Sequence, residues 1–198
     1  MAPFPIQAIQ WEQGVHLEDY VGGMQTYQAD MRRRIASVQL GESDRARLVQ
    51  VKTPVKIASL SEDWCIDCLM TLPIMAQIAA ASPRMEMRVF SRGKWPGLKV
   101  YFNGRGIMSI PVYAFLDEDY EVIGTFVERP QLVHQKMAEW KAAHPEVEET
   151  RRSATISSEE KSARLAGFRL QLQAAMEGWY EQDGQSAMVA EVAALLGI

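Results

Sequence analysis

The two cysteines of this 198-residue chain are separated by two residues, in Trp64-Cys65-Ile66-Asp67-Cys68. A dithiol at this spacing can close into a small disulfide ring and open again, which is redox chemistry when a fold presents it correctly. The same residues could donate two thiolates to a metal, but a zinc site needs at least two further ligands. The chain has no other cysteine, and His16, His134 and His144 form no ligand-spaced pair. In a reducing compartment such a pair is more often catalytic or metal-binding than a structural staple.

The elements that must position the pair are legible around it. Val55 to Leu60 is an apolar run and reads as a buried strand that ends just before the dithiol. The cysteines then open a helix to about Ala80, with Leu69, Leu72, Ile74, Met75 and Ile78 as its apolar residues and Pro73 predicted to kink it. Met85 to Phe90 alternates like a second strand, Leu98 to Phe102 reads as a short helix, and Pro111 to Leu116 with Glu121 to Phe126 reads as a β-hairpin. A helix over about Gln131 to Ala143 follows. The order β-α-β-α-β-β-α predicts an α/β fold with a mixed sheet covered on both faces.

Flanking this block are helical extensions. Tyr20, Met24, Tyr27, Met31, Ile35 and Val38 recur at helical spacing and predict one amphipathic helix, weakened at Gly22-Gly23. Glu146 to Glu160 is charged and Ser/Thr-rich and reads as a linker. Leu165, Phe168, Leu172, Ala175, Met176 and Trp179 then mark another amphipathic helix, with Gly184 as a break before a last short one. The predicted divisions are an extension over 1–52, a central domain over 53–145, and a linker with a C-terminal helical extension over 146–198 that packs on the core. The apolar stripes could otherwise form a dimer surface, so the expected state is a monomer or weak homodimer.

With 47% hydrophobic residues the chain can bury a sizeable core. A net charge of −4 and a pI near 5.5 argue against a general nucleic-acid binder. Arg88, Arg92, Lys94, Lys99 and Arg105 could form a basic patch near the dithiol, but a solvated face is the simpler reading. Met1 to Gln10 lacks the basic start of a secretory signal, and no run approaches the roughly 18 apolar residues of a membrane span. The expectation is a soluble cytoplasmic protein with no membrane partner.

Taken together, these motifs resemble the thioredoxin fold. A strand precedes the CxxC, Pro73 follows the second cysteine by five residues, and Gly106-Ile107-Met108-Ser109-Ile110-Pro111-Val112 is similar to the segment around the family's cis-proline. More narrowly, Ser61-Glu62-Asp63-Trp64-Cys65 and Ser109-Ile110-Pro111 are similar to a bacterial thioredoxin-like subfamily with an N-terminal helix. The resemblance covers about residues 53–145. It implies a thioredoxin fold, a central mixed four-stranded sheet flanked by helices, and thiol–disulfide exchange through Cys65 and Cys68.

On that reading Cys65, at the helix start, is the nucleophile, favoured as a thiolate by free backbone N–H groups and the helix dipole. Cys68, one turn further in, is the resolving thiol. Trp64 is expected to pack beside Cys65 and shape the substrate surface. A cis Ile110–Pro111 bond would bring the Ile110 N–H and C=O against the dithiol, where they could pair with a substrate chain. The implied partners are protein disulfides or a small thiol, with a reductase as electron donor. No cofactor is implied beyond the redox-active disulfide itself.

The chain departs from the family at residues that would modulate the site. Ser59 stands where thioredoxins carry a buried acid, and a hydroxyl cannot act as a base near neutral pH. Glu62, Asp63 and Asp67 are the nearest carboxylates, and Ile66-Asp67 replaces the usual Gly-Pro. The charge of Asp67, inside the CxxC ring, should oppose a nearby thiolate and leave Cys65 less acidic than in a typical thioredoxin, unless Asp67 points to solvent. Three functions follow: a cytoplasmic disulfide reductase, a redox-sensing or non-catalytic binding module on the same fold, and a small-thiol or peroxide-linked redox protein.

Overall fold

The computed structural model describes residues 3–198. They fall into two compact units, one running to Arg129 and taking in Met188–Ile198, the other spanning Pro130–Ala187.

The first unit begins with four short helices, α1 (Ala8–Glu12), α2 (Leu17–Gly22), α3 (Gln28–Ser37) and α4 (Glu42–Leu48). The single helix predicted through Tyr20 to Val38 is thus two. The break falls at Gly22-Gly23, where helix propensity is lowest, and Tyr27 caps α3 from the left-handed region at φ 56°. A side chain distant in sequence holds the break open: Asp63 Oδ2 accepts the N–H groups of Gln25 at 2.7 Å and Thr26 at 3.1 Å. Met31 on α3 is buried, and α3 packs along the long helix described next.

Then come β1 (Val55–Ser61), α5 (Ile66–Ala80), β2 (Met85–Ser91), α6 (Pro96–Asn103), β3 (Val112–Leu116) and β4 (Val122–Val127). The sheet order is β2-β1-β3-β4. β1 and β2 are parallel, which requires a crossover, and α5 is that crossover. β3 runs antiparallel to both β1 and β4. Both central strands are almost wholly buried, so they read as continuous apolar runs. The outer edge of β2 gains a two-way bridge from Val15, whose N–H and C=O pair with Val89. α5 continues across Pro73.

The second unit holds α7 (Gln131–Ala143), α8 (Glu146–Arg152) and α9 (Ser158–Trp179). The charged segment predicted as a linker therefore contains a helix, with three acids in its first turn and two arginines in its last, in the sense the helix dipole favours. Gly184 does not break the chain: α9 runs through one π-helical turn (Tyr180–Gly184) into α10 (Gln185–Leu196). A Cβ on Gly184 would lie 2.9 Å from the Tyr180 ring and 3.1 Å from Val133, so glycine serves close packing there. Leu195, near the end of α10, packs back in the first unit over Gly124 of β4.

Candidate active site

β1 ends at Ser61, and four residues carry the chain into α5. Cys65 is the N-cap of that helix, with extended backbone (φ −87°, ψ 121°), and its carbonyl accepts the Leu69 N–H at 3.0 Å. Cys68 lies one turn in and is fully buried, while Cys65 is half-buried; both are free thiols. The two environments push the thiols apart. Cys65 is pulled below the ordinary cysteine range by a hydrogen bond from the Cys68 thiol, helped by the Cys68 and Asp67 backbone N–H groups and opposed by burial and the Asp67 charge. Burial first, and then its bond to Cys65, pushes Cys68 well above that range.

The Ile110–Pro111 bond is cis. It sets the buried Ile110 carbonyl against the dithiol, where the oxygen accepts the Cys65 thiol at 3.4 Å. Cys65 also touches the apolar cluster that includes Leu60, Phe90, Ile110 and Val112. Trp64 stands apart from that cluster. The residue is 58% exposed, in the turn before the helix, so it presents an apolar surface next in sequence to Cys65. Ile66, the first helical residue, is half-buried.

The carboxylates near the pair are all committed. Glu62 Oε1 accepts the Gly93 N–H at 2.6 Å and the Ser91 hydroxyl at 3.2 Å, tying the dithiol loop to the end of β2. Asp63 holds the α2–α3 turn. Asp67 neither points to solvent nor stands alone: it is 6% exposed and bound by two nitrogens of Arg129, Nε at 2.8 Å and Nη2 at 2.5 Å. Its charge does oppose the Cys65 thiolate, as expected, but its own N–H and that of Cys68 work the other way.

Ser59 is fully buried, and its hydroxyl shares a 2.8 Å hydrogen bond with Ser61. Ser61 in turn bonds the Cys68 sulfur and favours its thiolate. A pair of hydroxyls therefore occupies the region where an acid was expected. Ser61 was not picked out as a modulator from the sequence, although two-residue spacing on a strand puts it on the same face as Ser59. Arg129 was missed too, and nothing local to it signals a role.

Tyr20, read only as part of an apolar stripe, also reaches this region. Its buried hydroxyl has no hydrogen-bond partner, and burial together with Cys68, Asp63 and Glu62 pushes its ionisation far upward. It lines a cavity of about 360 Å³ with Met24, Glu62, Asp63, Lys94 and Trp95. Of the basic residues, Arg88 is taken by Glu86, Glu12 and the Gly14 carbonyl, and Arg105 lies over the Tyr101 ring. Among the described residues no group of three His, Cys, Asp or Glu side chains could hold a metal ion. Nor is any helix among them long and apolar enough to cross a membrane.

The thioredoxin family's sequence model matches residues 14–142. A crystal structure of a Pseudomonas aeruginosa protein of unknown function is similar at 26% identity and a TM-score of 0.58, over 69% of this chain and 88% of that one. An HIV epitope-scaffold is similar in fold, at 20% identity and a TM-score of 0.63, over 97% of this chain and 98% of that one. No curated protein matches the chain.

Proposed function

The chain belongs to the thioredoxin family, and from that premise we propose that it is a thiol–disulfide oxidoreductase working as a disulfide reductase through Cys65 and Cys68. One observation carries the reading: a half-buried Cys65 at a helix N-terminus, with its acidity raised by its neighbours, beside a fully buried Cys68 held as a thiol. An attacking thiolate and a waiting thiol are the two states the reaction needs.

In the first step the Cys65 thiolate attacks one sulfur of a substrate disulfide. The substrate S–S bond breaks, one substrate thiolate leaves and takes a proton from solvent, and Cys65 is left in a mixed disulfide. Cys68 then loses its proton to water and attacks the Cys65 sulfur. The second substrate thiolate leaves, and the chain holds a Cys65–Cys68 disulfide. Two electrons have passed to the substrate. An external dithiol or a reductase must supply two electrons to restore the reduced pair.

The exposed Trp64 offers an apolar surface next to the reacting sulfur, and the Ile110 backbone offers polar groups to an extended substrate segment. Protein disulfides or a small disulfide are the proposed substrates, in a reducing compartment such as the cytoplasm. Ser59 favours a second reading, a redox-sensing or non-catalytic binding module, because the hydroxyl pair cannot accept the Cys68 proton near neutral pH.

Reduction of insulin disulfides by dithiothreitol separates the two. The reductase reading expects acceleration by the wild-type chain, none by Cys65→Ser, and a trapped mixed disulfide with Cys68→Ser detectable by intact mass. A wild-type chain no faster than Cys65→Ser would leave the binding module.

A further inference from the structure

Asp67 is an acid placed inside the dithiol ring, at the second residue of α5. A buried carboxylate beside a sulfur that must carry negative charge works against it. The structure sets against it a cation from sixty-two positions away. Arg129 follows β4, is 8% exposed, and grips both Asp67 oxygens with its planar fork. Its Nη2 also donates to Glu128 Oε1 at 2.5 Å. Glu128, with φ 66°, donates its backbone N–H to the Pro111 carbonyl at 2.7 Å. On the helix side, the Thr71 hydroxyl donates to the Asp67 carbonyl at 2.8 Å and shares a second 2.8 Å hydrogen bond with the Tyr113 hydroxyl on β3. Asp67 is thus fixed by its side chain and by its backbone.

The ionisable groups around the dithiol come from every element packed on it. They are Asp67 on α5, Glu62 and Asp63 before it, Tyr20 on α2, the buried Arg34 on α3, which donates to the Met70 carbonyl, Lys94 after β2 in the cavity with Tyr20, Glu62 and Asp63, Tyr113 on β3, and Glu128 and Arg129 after β4. Three of these are positive, and Arg129 is the one seen to bond the Asp67 carboxylate. A carboxylate paired side-on with a guanidinium projects far less field onto a neighbour than an unpaired one.

We propose that Arg129 is a positioning residue for the dithiol, clamping the Asp67 carboxylate in a paired state so that the acid inside the ring does not hold Cys65 in its thiol form. The same clamp fastens the start of α5, through Glu128, to the Pro111 carbonyl. The inference rests on the reading of Cys65 as the attacking thiol. It also accounts for how an Ile-Asp insert is tolerated between the sulfurs.

The test is the pH dependence of Cys65 alkylation by iodoacetamide in the reduced full-length chain, where burial protects Cys68. Arg129→Gln should raise the midpoint by about one pH unit, a tenfold loss of thiolate below it. Asp67→Asn should leave the midpoint at or below the wild-type value, and adding Arg129→Gln to Asp67→Asn should change nothing further. Arg129→Lys keeps the charge but loses the fork, and should give a smaller rise; it carries the test if Arg129→Gln does not fold. An undiminished rise in the Asp67→Asn background, or no rise with either Arg129 variant, would overturn the proposal. The titration needs no disulfide substrate, so a chain inactive toward insulin but with the expected cycle would reject only the reductase reading.

Discussion

The Cys65 thiol donates to the Ile110 carbonyl oxygen across 3.4 Å, joining two residues forty-five positions apart. One end is the N-cap of a helix and the other is the residue before a cis-proline. The contact puts the more acidic sulfur against a backbone polar group at the edge of the buried cluster. Around it, three carboxylates that the sequence places close to the cysteines are tied to three different parts of the first unit: Glu62 to the end of β2, Asp63 to the α2–α3 turn, and Asp67 to Arg129.

The two thiols give the reduced protein a defined alkaline response. Cys68 has a folded value raised above its unfolded one, about 8.5, so its contribution is fully present below that pH and is lost as pH rises toward the folded value. Cys65 has the opposite sign: its contribution is present above about pH 8.5 and is lost as pH falls through its lowered folded value. Between about pH 8.5 and about pH 10, below the range where the buried Tyr20 adds a loss of the same sign, Cys68 sets the slope of the pair. Urea unfolding of the reduced chain should therefore lose about 1.4 kcal/mol per pH unit there, and Cys68→Ala should flatten that loss. Equal slopes in the two proteins would contradict the assignment of burial to Cys68.

Asp63 is predicted to anchor the N-terminal helices beside the dithiol. Asp63→Ala removes two charge-assisted bonds whose donors, the Gln25 and Thr26 N–H groups, are exposed enough for water to replace the lost partner in part. The expected loss is roughly 1–2 kcal/mol of stability, with faster amide exchange at Gln25 and Thr26. Unchanged exchange at both amides would show that the turn holds without the carboxylate.

Gly14 is predicted to be intolerant of even one methyl group. A Cβ there would lie 2.5 Å from Phe90 Cζ and 2.9 Å from Arg88 Cβ. Phe90 is wholly buried between Trp11 and Trp95, with ring centroids at 6.2 Å and 5.1 Å, so the ring has no room to yield. Gly14→Ala should cost about 1–3 kcal/mol, read from the urea midpoint. Gly22→Ala is the control: nothing lies within 4 Å of its would-be Cβ, and it should be close to neutral. Equal midpoints for the two variants would refute the packing argument.

The sequence by itself determined the chemistry-bearing core of this protein. A dithiol after an apolar strand, a helix carrying Pro73, and Pro111 before a hairpin are local patterns, and period two or period 3.6 together with fixed spacing makes them readable without coordinates. The same locality explains the errors. Tyr20 to Val38 has the spacing of one helix, yet a carboxylate from position 63 captures the two N–H groups that a continuous helix would have used. The segment after Glu146 has a linker's composition, yet its acids and arginines lie in the order that suits a helix.

Only the tertiary structure decided the electrostatics of the site. The sequence shows Asp67 between the sulfurs, but whether that charge is exposed, unpaired or neutralised depends on Arg129, which reaches it only once β3 and β4 are laid beside β1. Ser61 and Tyr20 likewise gain a place near Cys68 only through burial and packing. Local periodicity fixes which face of an element is apolar. It does not specify which distant group compensates a buried charge, because that partner is chosen by the topology of the sheet.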